Sequence, residues 1–323
     1  MARAPRANRE PEPRSPNTAV IGWQGYTVAV PEDWTIGAIG GDHLEGYLRI
    51  DGPDMPRCEI KWFERKGPVA VEEVIANYLK ELRKKRRRRD PEVKTKRDTR
   101  LLGRRKGGRT QLESFSWTDG RRQGHGAAWR CAHCERITIV QVLGTADKPL
   151  EDLARDLIAS ISDHPQDGWT TWATYGLHCE VPEEFRLSNQ KLMAGLLELT
   201  FKLETEQITV MRWGMADIAL GKDGLRKWAQ KELGGRLKGW RATYEEIEFN
   251  GHPAIAITGG PTNPQVRMRR FVAHCLRRMY GSNAQSLVWH CKPDKKLYAV
   301  ECIVDDSRTE LPAEICQRLV CHS

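Results

Sequence analysis

The strongest constraint in this 323-residue sequence is that its two halves repeat one another. "YTVAVPEDW" (26–34) lines up without gaps on "LHCEVPEEF" (177–185), both ending in Val-Pro, two acids and an aromatic residue. "HLEGYLRI" (43–50) matches "LMAGLLEL" (192–199), pairing Gly46 with Gly195 and Ile50 with Leu199. "CEIKWF" (58–63) matches "TVMRWG" (209–214), pairing Trp62 with Trp213, and "KGGRTQL" (106–112) faces "NGHPAIA" (250–256). Last, "WRCAHCERITIVQV" (129–142) matches "WHCKPDKKLYAVEC" (289–302), again without gaps. Blocks in one conserved order imply tandem duplication. Features present in both halves then speak of folding, and features owned by one half speak of specialisation.

The length suits two domains of about 150 residues each. Residues 1–18 are rich in Pro, Arg and Glu with no large apolar side chain after Met1, which predicts a disordered basic tail. The first repeat is expected over 19–163, with "SDHPQDG" (162–168) as linker, and the second over 168–323. In "VEEVIANYLKELRKKR" (71–86), Val71, Val74, Ile75, Tyr78, Leu79 and Leu82 fall at helical spacing. "GLRKWAQKELGGRL" (224–237) is its counterpart, and "PLEDLARDLIASI" and "LPAEICQRLV" read as closing helices. Together with alternating strand segments this predicts an α+β chain of two repeated domains in the order βββ-α-ββββ-α, each an antiparallel sheet flanked by helices. The second copy carries an insertion at 263–283, partly helical in spacing.

The last strand of each half, "RITIVQVL" and "LYAVECIV", is apolar on both faces, as a central strand covered on both sides should be. Trp62, Trp213, Trp129 and Trp289 are expected in the cores. Trp23, Trp169, Trp172 and Trp240, less symmetrically placed, are candidates for a domain–domain contact between the two repeats.

"VAVPEDW", "CEVPEEF", "NGHPAIAITGG", the last hairpin and the terminal "LIASI" give each half, over 20–162 and 170–322, a resemblance to the PsbP-like domain family. That family includes DcrB-like proteins and chaperones of type VI secretion effectors. The resemblance implies a small antiparallel sheet flanked by helices and a role in binding other proteins. It implies no shared active site, so no catalytic residue is carried over. The basic run and the tryptophan content have no counterpart in the family pattern.

Cys131, His133 and Cys134 share one turn, and Cys-x-x-Cys is half of a zinc-ribbon pattern. A fourth ligand could come only from His290 or Cys291 of the matching hairpin, giving a zinc-stabilised scaffold as one alternative. The repeat favours a simpler reading. Cys131 aligns with Cys291, but His133 falls on Pro293 and Cys134 on Asp294. Trp-x-Cys persists as two residues on one face of a strand, so a hairpin with a core Trp and Cys is expected, with Cys134 incidental. A redox pair would need the motif to open a helix, where the dipole lowers the thiol pKa. Neither a metal nor a cofactor is expected.

Residues 78–109 hold 16 Lys or Arg against 4 Asp or Glu, more than the whole chain's net charge of +9. The charge is therefore one concentrated feature, and the second half lacks most of it. Arg83, Lys84, Lys85, Arg86, Arg87, Arg88, Arg89, Arg104, Arg105, Lys106 and Arg109 are the candidate anion-binding residues. Such a cluster suits a phosphate backbone, bound with steep salt dependence. The run contains only Tyr78 for base stacking, so sequence readout is not expected.

No catalytic motif survives inspection. Glu32/Asp33 and Glu183/Glu184 follow strand-ending prolines, and His125 and His252 have no triad-like neighbours in sequence. "GMADIALGKD" spaces its glycines wrongly for a phosphate loop, and "GAIGGDHLEG" lacks a βαβ setting. The sequence thus points to a non-enzymatic macromolecule-binding protein, an adaptor or chaperone-like binder of an unknown protein. The alternative is a nucleic-acid- or ribosome-associated phosphate-backbone binder. Nine cysteines without a disulfide-scaffold spacing, no membrane span and no secretory signal place it in the cytoplasm.

Overall fold

Each half of the chain opens on a two-residue turn, Gln24-Gly25 and Tyr175-Gly176, with all four residues at positive φ. Paired positive φ is the geometry of a type I′ hairpin turn, which matches the twist of the strands it joins and favours Gly at its second position. The computed structural model describes residues 18–65, 67, 69–84, 91–97, 101–102, 109–165, 167–236, 240–262, 264–265, 268, 281 and 283–322. The expected tail, the core of the basic run (85–90 and 103–108) and most of the 263–283 insertion lie outside the described residues. The chain divides into two units, residues 1–22 with 26–163, and residues 23–25 with 164–323.

In the first unit the strands are β1 (Thr18–Trp23), β2 (Tyr26–Pro31), β3 (Thr35–Gly41), β4 (Glu45–Asp51) and β5 (Pro56–Phe63), followed by helix α1 (Val71–Lys84). Next come β6 (Lys94–Arg97), β7 (Arg109–Thr118), β8 (Arg122–Cys131), β9 (Ile137–Thr145) and α2 (Glu151–Ser160). Seven strands form one antiparallel sheet in the order β3-β4-β5-β9-β8-β7-β6. Five strands rather than three therefore precede the first helix. The sequence hid β1 in a stretch too short to show its period, and β3 behind the exposed, glycine-rich "TIGAIGG".

The second unit runs β10 (Trp169–Thr174), β11 (Leu177–Pro182), β12 (Arg186–Leu192), β13 (Leu196–Leu203) and β14 (Glu206–Trp213). Helices α3 (Ala216–Leu220) and α4 (Gly224–Gly234) follow, then β15 (Trp240–Phe249), β16 (His252–Pro261), β17 (Asn283–Cys291), β18 (Lys296–Val304) and α5 (Leu311–Gln317). Its seven-stranded sheet has the order β12-β13-β14-β18-β17-β16-β15, the same as in the first unit.

The central strands are β9 and β18, and both faces of each are buried. On one face of the first sheet α1 packs Val71, Ile75 and Leu79 against Phe115, Trp117, Ala128 and Ile139. On the other face Tyr26 of β2 packs on Trp62 at 4.9 Å between rings and hydrogen-bonds Thr138 at 2.8 Å, with α2 alongside. In the second unit Trp228, Ala229 and Leu233 of α4 cover Met211, Val288 and Ala299 on one face.

Strand register corrects two pairings drawn from the sequence. Trp62 lies opposite Thr138 on β9, whereas Trp213 lies opposite Leu297 on β18. The residue of the second sheet that occupies the Trp62 position is Arg212, opposite Tyr298. A one-residue slip reverses the face in a strand. Trp62 accordingly joins Tyr26, while Trp213 packs edge-on against Trp228 of α4 at 4.9 Å. Gly46 is opposite Trp62, and a Cβ there would lie 2.2 Å from the indole; Gly195 faces open space, so the two glycines answer different needs.

The central strands are also less apolar than their sequences suggest. Gln141 on β9 and Glu301 on β18 are both buried on the helix-covered face. Glu301 lies in a polar row across four strands, with Thr209, Thr200 and Ser286 as neighbours. Among the described residues its Oε2 and the Ser286 hydroxyl have no hydrogen-bond partner. Burial pushes the Glu301 carboxyl above its ordinary range, with Arg236 opposing and Glu198 adding to the rise. A raised carboxyl favours folding below its unfolded pKa and loses that contribution as pH climbs through the folded value. Glu301→Gln is therefore expected to raise the melting temperature at pH 8 and to change it little at pH 4, as followed by thermal denaturation at the two pH values.

Candidate functional site

On the first sheet α1 covers the β7–β8 side and leaves the β4–β5 side open, which creates a groove of about 1490 Å³. Its floor is made of residues on one face of the sheet: Tyr47 on β4, Glu59 and Lys61 on β5, Gln141 on β9 and, across β8, Trp117 on β7. All but Lys61 form a continuous hydrogen-bonded chain. The Trp117 indole donates to Gln141 Oε1 at 2.9 Å, the Gln141 amide to Glu59 Oε2 at 2.8 Å, and the Tyr47 hydroxyl to Glu59 Oε1 at 3.2 Å. Both Glu59 oxygens are thus engaged by neutral donors. Burial and the neighbouring Glu59 raise the Tyr47 hydroxyl well above its ordinary value, so it stays a donor.

Lys61 places its ammonium over two rings, 5.6 Å from the Tyr47 centroid and 5.3 Å from that of Tyr78 on α1. Phe63, Leu82 and Leu143 supply apolar wall, and Arg122 pairs with Asp119 at the rim at 3.4 Å. Among the described residues lining the groove there is no Ser, Thr, Cys or His. Its chemistry is that of a mixed aromatic and charged cradle with a hydrogen-bonded floor.

Three of the expected anion-binding residues fall in the described chain. Arg83 and Lys84 close α1, where Arg83 hydrogen-bonds Thr95 and Lys84 pairs with Glu81 at 2.8 Å. Arg109 opens β7 and is turned inward. Its guanidinium stacks 4.2 Å from the Trp129 ring and donates to the carbonyls of Ile158 at 3.2 Å and Ile161 at 2.5 Å, at the end of α2. Burial lowers its pKa and Asp163 opposes that shift. A cation on the last carbonyls of a helix is favoured by the macrodipole. Lys85, Arg86, Arg87, Arg88, Arg89, Arg104, Arg105 and Lys106 lie outside the described residues.

The cysteine turn closes the β8–β9 hairpin, with Cys131 buried as the last residue of β8. Cys134 has a role that the sequence comparison missed. Arg136, buried against Tyr26 at 4.8 Å, donates to Cys134 Sγ at 3.4 Å, to Asp163 O at 2.5 Å and to His43 O at 3.1 Å. The hydrogen bond from Cys131 and the Arg136 guanidinium hold the Cys134 thiol below its ordinary range. At the aligned turn of the second unit Asp294 pairs with Lys296 at 2.8 Å. Cys134 thus answers Arg136 as Asp294 answers Lys296. His290 and Cys291 are neighbours on β17 and point to opposite faces.

No family model matches the sequence and no curated protein matches it, so the PsbP-like resemblance rests on the residue blocks alone. Among solved structures the chain is similar to the immunity protein TplEi of the T6SS from Pseudomonas aeruginosa complexed with "L" peptide. The identity is 10% over 94% of this chain and 96% of that one, with a TM-score of 0.32. The apo structure of the same immunity protein matches at 10% identity over the same shares, with a TM-score of 0.29.

Arg109 separates a structural cation from a binding one. Arg109→Ala removes a stacked guanidinium and two charged hydrogen bonds and is expected to cost about 2–3 kcal/mol. Lys84→Ala removes an exposed i,i+3 pair and should stay within about 0.5 kcal/mol of wild type. Urea denaturation of both variants measures the difference.

Proposed function

We propose that the protein is a non-enzymatic binder of another protein, and that the groove on the first sheet receives an extended segment of that partner. The observation that carries this reading is the floor of alternating Tyr47, Glu59, Lys61, Gln141 and Trp117. An extended chain presents side chains at the same two-residue spacing as the strands beneath it. The rings of Tyr47, Tyr78 and Trp117 offer rigid apolar surface, and Lys61 offers a positive charge held over two of them. The engaged Glu59 carboxylate and the absence of Ser, Thr, Cys or His among the described lining residues favour binding over chemistry.

The two units are read as copies of one ancestral domain, since they share strand order and the Trp129 and Trp289 positions. The first carries the groove described above, and its sequence carries the basic run. The run supports a second reading, in which residues 83–89 and 104–106 hold a phosphate backbone. The two readings differ in salt response, because backbone contacts weaken steeply with ionic strength while a buried aromatic interface does not.

The test uses wild type and a Tyr47→Ala/Lys61→Ala variant as bait in lysate with and without nuclease, at 0.1 M and 0.5 M salt. Groove binding predicts a specific protein retained at both salts by wild type and lost by the variant. Retention that disappears with nuclease or at the higher salt, and is indifferent to the variant, favours the basic run. Circular dichroism confirms that the variant remains folded.

A further inference from the structure

Four side chains from three distant segments of the second unit converge on one point. They are His252 at the start of β16, Cys291 at the end of β17, and Cys321 with His322 beyond α5. Each offers one ligand atom, and the four atoms all lie within 4.8 Å of one another. Cys291 Sγ is 3.4 Å from His322 Nδ1, Cys321 Sγ is 3.2 Å from the same nitrogen, and Cys321 Sγ is 3.5 Å from His252 Nε2. We propose that these residues form a Cys2His2 zinc site that clips the chain's last segment to the β16–β17 edge.

The distances fit. Ligands on a tetrahedral zinc, at about 2.3 Å for sulfur and 2.0–2.1 Å for nitrogen, stand roughly 3.3–3.8 Å apart. Two thiolates with two imidazoles suit zinc over the harder divalent ions. Continuing the β16–β17 register two residues past Ala254–Trp289 brings His252 alongside Cys291. The chain beyond α5 is held by Val320 N, which donates to His178 O at 2.9 Å, and by the Tyr298 hydroxyl, which donates to Cys321 O at 3.1 Å. His252 and Cys291 are buried, whereas Cys321 is half-buried and His322 exposed, which leaves an entry path.

The first unit supplies an independent observation. There Arg109 stands opposite Cys131, in the position that His252 takes opposite Cys291. Its guanidinium occupies that corner, bound to backbone carbonyls and facing Asp163. That corner of the first unit therefore holds a cationic side chain, and the proposed zinc would stand at the corresponding point of the second. In the second unit two imidazoles and two thiols converge there. The sulfurs must ionise to bind the metal, which neutralises two of its charges.

The full-length chain, purified under reducing conditions from zinc-supplemented cells, is assayed for metal by atomic emission. Stripped protein is then titrated with Co2+. About one zinc per chain is expected, with the intense visible absorption of tetrahedral cobalt and a thiolate charge-transfer band. Cys321→Ser and His252→Gln should each drop zinc to background, while Cys134→Ser retains it. Should either variant misfold, the cobalt spectrum of stripped wild type still decides. Wild type without zinc and with only the weak spectrum of octahedral cobalt would overturn the site. So would a Cys291–Cys321 disulfide in place of metal, or full zinc content in folded Cys321→Ser.

Discussion

A strand buried on both faces cannot exist unless something covers each face, and that requirement organises both units. β9 and β18 lie at the centre of seven strands with almost no side chain exposed. The helix layer, α1 in one unit and α4 in the other, covers one face. In the first unit the other face is covered by the opening hairpin and α2, and in the second α5 packs on β17 and β18. The hairpin turns at Gln24-Gly25 and Tyr175-Gly176 matter for this reason. They fold β2 and β11 back early, so that Tyr26 in the first unit is delivered onto Trp62 and Thr138.

Cover that is complete gives a core, and cover that is incomplete gives a site. α1 packs over β7 and β8, and Tyr47, Glu59 and Lys61 line the groove on the part of the sheet beside it. The polar row on the floor is a consequence of this geometry. Side chains at the border between covered and open sheet must be compatible with both burial and water. The Trp117–Gln141–Glu59–Tyr47 chain meets that demand by satisfying each buried polar atom in turn. In the second unit the row is Thr200, Thr209, Glu301 and Ser286, and there the Glu301 carboxyl is left raised instead.

Much of the architecture could be read from residues adjacent in sequence. The last hairpin of each half, the α1 face from Val71 to Leu82 and the closing helices follow from local periodicity, and Trp129 and Trp289 do fall at matching positions. Pairings between non-adjacent strands were less accessible. Matching Trp62 to Trp213 looked compelling because both are tryptophan, yet an offset of one residue put them on opposite faces. β12, "RLSNQKL", is polar and exposed, so it carries no alternation to betray a strand. Cys134 looked incidental because its counterpart is Asp294, and only the shared answer to a neighbouring cation shows that thiol and carboxylate do one job. The groove residues came from β4, β5, β7, β9 and α1, a set that no sequence window contains.

The cysteines illustrate how one scaffold position can be met by different chemistry. A long α2 of ten residues closes the first unit, finished by the Arg109 guanidinium on its terminal carbonyls and by the backbone bridge between Ser162 and Thr27. α5 has only seven residues and Arg318, its C-terminal neighbour, is spent on Glu180 at 2.6 Å and the Trp169 ring at 4.1 Å. A helix of two turns contributes little stability by itself, so the segment after it needs another anchor. Four ligands drawn from β16, β17 and the chain beyond α5 would supply one at a single point, since metal binding to a site that exists only in the folded state adds directly to folding free energy. A cysteine at Cys291 or Cys131 is compatible with either solution, because a buried thiol packs as a small hydrophobe when no metal is at hand. What separates the two units is the residue opposite it, an arginine in one and a histidine in the other.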